Sequence, residues 1–220
     1  MFEIIRENGV CISPLEEKFH TIAEGMDAMA FSLYIDSSKG SQELLDPFSI
    51  YLREQLPERL ILHPRDHYLL LMESLRHATK SVIIFSPWIM SYVVNEEFVS
   101  LVQAAINRQV EVRIGFGYQG GKGIDLGNIA GIVKRDNSFG DYDKNVTSIS
   151  NLKDAMGESL QYIPPIHSKI LLVDDRFLFL GSHNWLSKLG KHKRDEISCL
   201  VTDDRMIKYL KERYIQVKLK

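Results

Sequence analysis

Between Pro164 and Ser187 the sequence reads PPIHSKILLVDDRFLFLGSHNWLS, and four of its residues are out of place in an apolar run. His167, Lys169, Ser182 and Asn184 set an imidazole, an ammonium, a hydroxyl and a carboxamide into two otherwise hydrophobic stretches. A polar group buried without a partner costs about 1–3 kcal/mol, so four together point to chemistry rather than packing. With neither a carboxylate cluster nor a cysteine among them, the set suits phosphoryl chemistry. An imidazole can attack phosphorus or move protons near neutral pH. An ammonium and a carboxamide can hold the charged oxygens of a phosphoryl group in its transition state. Metal binding fits less well, because His167 has no second His or acidic ligand at a useful spacing on its own strand.

These four side chains must be brought to one place, and a hairpin is the simplest device. Asp174-Asp175 reads as a two-residue loop, since Asp tolerates left-handed backbone angles. That loop pairs Val173 with Arg176, Leu171 with Leu178, Lys169 with Leu180 and His167 with Ser182. Alternation along each strand then puts His167, Lys169, Ser182 and Asn184 on one face. Ile166, Ile170, Leu172, Phe177 and Phe179 fall on the other. A three-residue loop would break this register.

The surrounding elements alternate. Residues 64–80 have the spacing of an amphipathic helix, with Pro64 at its first position and Leu69, Leu71, Met72 and Leu75 on its apolar side. SVIIFSPWI is a buried strand closed by Pro87, NEEFVSLVQAAINRQ a helix, and VEVRIGFGY a second strand. Strand, helix, strand implies a parallel pair with a right-handed crossover. The following GFGYQGGKG misses the P-loop spacing and reads as a flexible loop. NIAGIVKRDN and NLKDAMGESL look helical, and the rest of residues 124–163 looks like loop. Three strand-like runs, IHSKILLV, FLFLGS and ISCLV, precede a closing helix around RMIKYLKERYIQ. In the first 60 residues, FEII and AMAFSLYI suggest strands and PFSIYLREQL a helix.

Composition is that of an ordinary globular protein, with a formal net charge of −2 over 220 residues. The charge is unevenly spread. Residues 1–60 carry 5 Lys/Arg against 11 Asp/Glu, whereas residues 187–220 carry 10 against 5. The basic end directly follows the polar cluster, where Lys188, Lys191, Lys193 and Arg194 would attract a polyanion. Cys11 and Cys199 fit neither a disulfide framework nor a metal-ligand spacing and read as buried small hydrophobes. His63 and His67 stand four apart across a helix start and His20, His77 and His192 sit in polar stretches; none reads as a ligand or catalyst, and all read as solvent-facing. Trp at a strand end commonly packs in the core; stacking on bases is the other reading of Trp88 and Trp185. No run approaches the roughly 18 apolar residues of a membrane helix, and MFEIIRENGV lacks the layout of a secretory signal, so a cytoplasmic protein without stable membrane association is expected.

HSKILLVD spaces His, Lys and Asp as His167, Lys169 and Asp174; GSHN follows six residues later, and Glu196 lies beyond. This pattern resembles the HKD signature of the phospholipase D superfamily. The resemblance implies that family's α/β sandwich, a mixed central sheet flanked by helices on both faces, over residues 61–220. Residues 1–60 form an acidic extension that it does not explain. It also implies a mechanism without metal or other cofactor. One His attacks the phosphodiester to give a phosphohistidine, while a second, from another HKD copy, protonates the leaving oxygen and then activates water. Lys169, Asn184 and Ser182 would bind phosphoryl oxygens, Glu196 would orient an imidazole and Asp174 would shape the turn. The chain carries one copy, so a homodimer is expected to supply the other His. The expectation is a nuclease acting on DNA or RNA, in a setting such as restriction or phage defence. A phosphatidyl-active enzyme is the alternative, and a catalytically idle nucleic-acid-binding module the third reading.

Overall fold

The computed structural model describes residues 6–7, 10–11, 60–61, 64–119, 124–136, 141–187 and 196–219. The chain falls into two compact units, Met1–Leu60 and Ile61–Lys220. In the first, strands β1 (Arg6–Glu7) and β2 (Val10–Cys11) pair antiparallel, Arg6 opposite Cys11. The strands expected at FEII and AMAFSLYI and the helix at PFSIYLREQL lie outside the described residues.

The second unit is built on one mixed sheet. After β3 (Leu60–Ile61) come helix α1 (Pro64–His77), β4 (Ser81–Ser86), α2 (Glu96–Asn107), β5 (Glu111–Phe116), α3 (Ile129–Asp136), α4 (Tyr142–Met156) and β6 (Leu160–Tyr162). Strands β7 (Ile170–Val173), β8 (Phe177–Gly181) and β9 (Ser198–Val201) precede α5 (Asp204–Leu210), a π-helical turn at Lys211–Ile215 and α6 (Gln216–Lys218). The order across the sheet is β3-β9-β8-β7-β4-β5-β6. β4, β5 and β6 run parallel, while β7 joins β4 antiparallel and continues antiparallel into β8 and β9. Every residue of β4 is buried, as a central strand covered on both faces requires.

Helices cover both faces. Ile83 and Phe85 of β4 pack with Ile170, Leu172 and Leu178 against Ile207, Ile215 and Leu219 of the C-terminal helical segment. Alternation turns Val82 and Ile84 to the opposite face, where Phe179 meets Trp185 and Trp185 meets His67 of α1. On that side α1 packs on α2, and α2 on α4. This is the α/β sandwich with a mixed sheet that the sequence led us to expect. Pro64 does open α1, but Leu70 is buried with Leu71, Met72 and Leu75, whereas Leu69 is only half-buried.

Four local expectations are corrected. The β7–β8 loop has three residues, Asp174 to Arg176: Val173 stands opposite Phe177 and Ile170 opposite Leu180. Phe177 and Phe179 therefore share a face with Leu171 and Val173, not with Ile170 and Leu172. The cause is tertiary. The Asp174 carboxylate accepts from the backbone N–H groups of Thr79, Lys80 and Ser81, Asp174 N–H donates to Ser81 O, and Asp174 and Asp175 both take φ of 55°. Leu160, expected at a helix end, and Gln161 and Tyr162, expected as loop, form the parallel edge strand β6. Cys199 is half-buried rather than core, and His67, expected in solvent, is fully buried against Ser198.

Candidate active site

All the polar residues of the motif except Asp174 gather at one end of the sheet. There β4, β5, β6 and β8 finish, while β7 and β9 begin, the end at which open α/β sheets bind ligands. His167 and Lys169 precede β7, Ser182 and Asn184 follow β8, and Glu196 precedes β9. None belongs to a paired strand, so the one-residue change of register does not scatter them. They line a cleft of about 600 Å³ together with Trp88, Ser168, Ile170, Leu180 and Gly181. That volume lies within the roughly 300–1,000 Å³ typical of ligand sites.

The glycine of GSHN sets how closely the strands approach. A Cβ on Gly181 would stand 2.0 Å from the carbonyl oxygen of Ile197 and 2.6 Å from Ser198 Cα. With glycine there, Ser182 N–H reaches Ile197 O at 2.8 Å and Ile197 N–H reaches Ser182 Oγ at 3.1 Å. Ser182 Oγ in turn donates to Glu196 Oε2 at 2.6 Å, fixing a hydroxyl on the exposed rim by a carboxylate that is only 6 % exposed. Gly181→Ala must push β8 and β9 apart. It is expected to cost about 1–3 kcal/mol, readable as a lowered midpoint in thermal unfolding.

His167 is exposed, its ring edge-on to Trp88 at 6.3 Å between centroids and 5.6 Å from Tyr118. The segment carrying it is tied down at both ends. Ile166 N–H donates to Gly117 O at 2.6 Å, and the Ser168 and Tyr214 hydroxyls share a 2.7 Å hydrogen bond. Lys169 Nζ donates to His167 O at 2.7 Å, which anchors the ammonium on the main chain of His167. Asn184 is 8 % exposed, and its Oδ1 has no hydrogen-bond partner among the described residues, leaving unspent polar capacity at the cleft. The arrangement sets a solvent-facing imidazole in one cleft with an ammonium, a hydroxyl and a carboxamide, groups able to serve transfer of a phosphoryl group. Among the described residues, no three His, Cys, Asp or Glu side chains gather as a metal ion would require.

Asp174 is not in this cleft. It lies at the far end of β7, 2 % exposed, holding the turn between α1 and β4. Lys188, Lys191, Lys193 and Arg194 lie outside the described residues. Trp185 is 1 % exposed and belongs to the core, whereas Trp88 lines the cleft.

Sequence reasoning missed a supporting set. Asp136 of α3 accepts from the N–H groups of Tyr118 and Gln119 at 2.9 and 3.0 Å and from the Tyr162 hydroxyl at 3.0 Å, bracing the loop that brings Tyr118 to His167. Burial pushes the Asp136 carboxyl above the usual carboxylate range, partly offset by these three donors. Burial, and then the neighbouring Asp136, push the Tyr162 hydroxyl well up. Also missed was a buried imidazole pair, His67 and His183, stacked 4.2 Å apart beside Trp185. Tyr118 was traceable in principle: β4 and β5 pair Ser86 with Phe116, so the second residues beyond them, Trp88 and Tyr118, emerge side by side.

The sequence matches the family described as cardiolipin synthase, PLD-like domain, over residues 71–217. The chain belongs to the phospholipase D superfamily. It is similar to several solved structures at low identity. NucT from Helicobacter pylori is 19% identical with a TM-score of 0.49, the match covering 73% of this chain and 93% of that one. The phospholipase D family member Nuc from Salmonella typhimurium is 18% identical with a TM-score of 0.45, covering 68% and 84%. Phosphatidylserine synthase of Haemophilus influenzae is 12% identical with a TM-score of 0.48, covering 74% and 37%. No curated protein matches the sequence. As a phospholipase D-type chain it is a phosphodiesterase-class protein, and the family alone does not select the phosphodiester.

Proposed function

We propose that this phospholipase D-type chain is a metal-independent nuclease that cleaves DNA or RNA as a homodimer, through a phosphohistidine on His167. The observation that carries the reading is the exposed His167 imidazole sharing one cleft with Lys169, Ser182 and Asn184. In the first step a ring nitrogen of His167 bonds to phosphorus as the bond from phosphorus to the leaving oxygen breaks. That oxygen takes its proton from the second imidazole, contributed by the other protomer. The second imidazole, now neutral, removes a proton from water. The resulting hydroxide bonds to phosphorus, the P–N bond breaks, and the phosphate product leaves His167 free. Lys169 and Asn184 hold the phosphoryl oxygens throughout, and Ser182 joins them when its hydroxyl proton turns from Glu196, its partner before substrate binds, to the phosphoryl group.

One feature favours a nucleic acid over a lipid: the 10 Lys/Arg of residues 187–220 against 5 Asp/Glu begin directly after the motif, a charge pattern suited to a polyanion. Restriction or phage defence is the setting we propose for such an activity.

Plasmid, single-stranded and RNA substrates incubated with the protein in excess EDTA provide the test, with mass in solution measured by light scattering. Cleavage by a species of twice the protomer mass is expected, with binding that weakens steeply as salt rises. Turnover of phosphatidylcholine vesicles alone would place the activity on lipids. Binding of nucleic acid without turnover would leave an idle module, and cleavage by a monomer would remove the shared site.

A further inference from the structure

Trp88 lines the cleft and Tyr118 stands behind it against His167, an aromatic pair for which the phosphoryl chemistry does not account. Trp88 and Tyr118 lie 4.6 Å apart at 41°, and both contact the His167 ring. Neither belongs to the core: Trp88 lines the cleft and Tyr118 is 37 % exposed, whereas Trp185 is 1 % exposed. Trp88 is half-buried and Tyr118 exposed, so part of each ring stays open to solvent beside the His167 imidazole, a place that suits a ligand.

The backbone under both rings is unusually well fixed. Ser86 Oγ donates to Trp88 O at 3.1 Å and accepts from Leu186 N–H at 3.2 Å. Met90 N–H donates to Leu186 O at 2.9 Å, Ser91 N–H to Asn145 Oδ1 at 2.9 Å, and the Tyr92 hydroxyl to Ser187 O. On the other side, Gly117 N–H donates to Pro87 O at 3.2 Å while Asp136 holds Tyr118 and Gln119. Gly117 takes φ +128°, and a Cβ there would stand 2.8 Å from the Tyr162 ring, so this close stitching depends on glycine. A pair of rings held in place before any ligand arrives makes a platform with little ordering left to do on binding.

Resting on the nuclease reading, we propose that Trp88 and Tyr118 stack on an unpaired base of the nucleotide next to the scissile phosphate. The substrate is then single-stranded or locally unpaired nucleic acid. A phosphate at His167 is joined to its base by a single sugar, which brings that base to the adjoining wall. Bases inside a duplex have both faces covered by their neighbours and cannot present one to a side chain without being unstacked.

The test uses an oligonucleotide with one cleavable phosphodiester, its other linkages being methylphosphonates. The base on one side or the other of that phosphodiester is kept or replaced by a tetrahydrofuran abasic residue. For the wild-type protein, kcat/KM is expected to fall about 10- to 100-fold when the base on one particular side is removed. Trp88→Ala should lose a similar factor on the intact strand and become indifferent to the abasic residue, while Trp88→Phe keeps most of the preference. Trp88 and Trp185 are the only tryptophans, so tryptophan emission gives a readout independent of turnover. Single strands bound to His167→Asn should quench it, and adding Trp88→Phe to that variant should remove the quench. Wild-type cleavage at equal rates with and without either base overturns the platform and leaves the nuclease reading standing; duplex cut as fast as single strand overturns the unpaired substrate. Absence of any polynucleotide cleavage removes the nuclease reading and this proposal together.

Discussion

His167→Ala is expected to lower turnover by about four orders of magnitude or more while leaving the fold in place, as loss of a covalent nucleophile does. The imidazole is exposed at the mouth of the cleft and precedes β7, so its removal opens no cavity in the sheet. Thermal unfolding of the variant should therefore superimpose on that of the wild type. The diagnostic is chemical: rapid acid quench of the wild type during turnover of a labelled substrate should trap label on protein through an acid-labile P–N bond, and the variant should trap none. Activity within tenfold of the wild type in a folded His167→Ala protein would show that the nucleophile is elsewhere. In a shared active site each protomer supplies one imidazole, so a mixed dimer of this variant with the wild type lacks one of the pair, and subunit exchange with excess variant should silence the wild type.

What the sequence revealed and what it hid follow from how local each determinant is. The unit β4–α2–β5 was legible because SVIIFS and EVRIGF are long apolar runs either side of a helical period. β6 was not, because three residues, Leu160–Tyr162, are too few for a periodic signal and it earns its place only by pairing with β5. The hairpin loop illustrates a subtler failure. Asp174-Asp175 correctly signalled left-handed backbone, yet loops of two and three residues differ by a single pairing step, and the choice was made by the N–H groups of residues 79–81, more than 90 positions away. The polar residues of the motif still meet at one cleft in spite of the wrong register because they lie beyond the paired strands. His67 was misjudged for the same reason as the loop: its partner Ser198 is 131 residues distant, and nothing in its neighbourhood in the sequence reports that contact.

Asp174 gives the second large effect, and one of a different kind from His167. Its carboxylate accepts at 2.7 to 3.1 Å from three successive backbone N–H groups and from the Thr79 hydroxyl, in a position 2 % exposed. Asp174→Ala leaves those donors without an acceptor, at about 1 kcal/mol or more each, and forces a Cβ without a polar tip to stay at φ of 55°, which adds roughly 1–2 kcal/mol. A total loss of about 4 kcal/mol is expected in urea unfolding, a large part of the ~5–15 kcal/mol that a domain commands. The two contributions separate. Asp174→Gly relieves the backbone and still lacks the acceptor, so it should fall between alanine and wild type, and Asp174→Asn, which tolerates the left-handed region and keeps one acceptor, should lose least. Well below the unfolding transition, all three should turn over substrate within a few-fold of the wild type per folded molecule, because Asp174 stands at the opposite end of β7 from His167. Thousandfold-lower activity in a folded Asp174→Asn protein would instead place this carboxylate in the chemistry, against the position it occupies beneath the turn from α1 to β4.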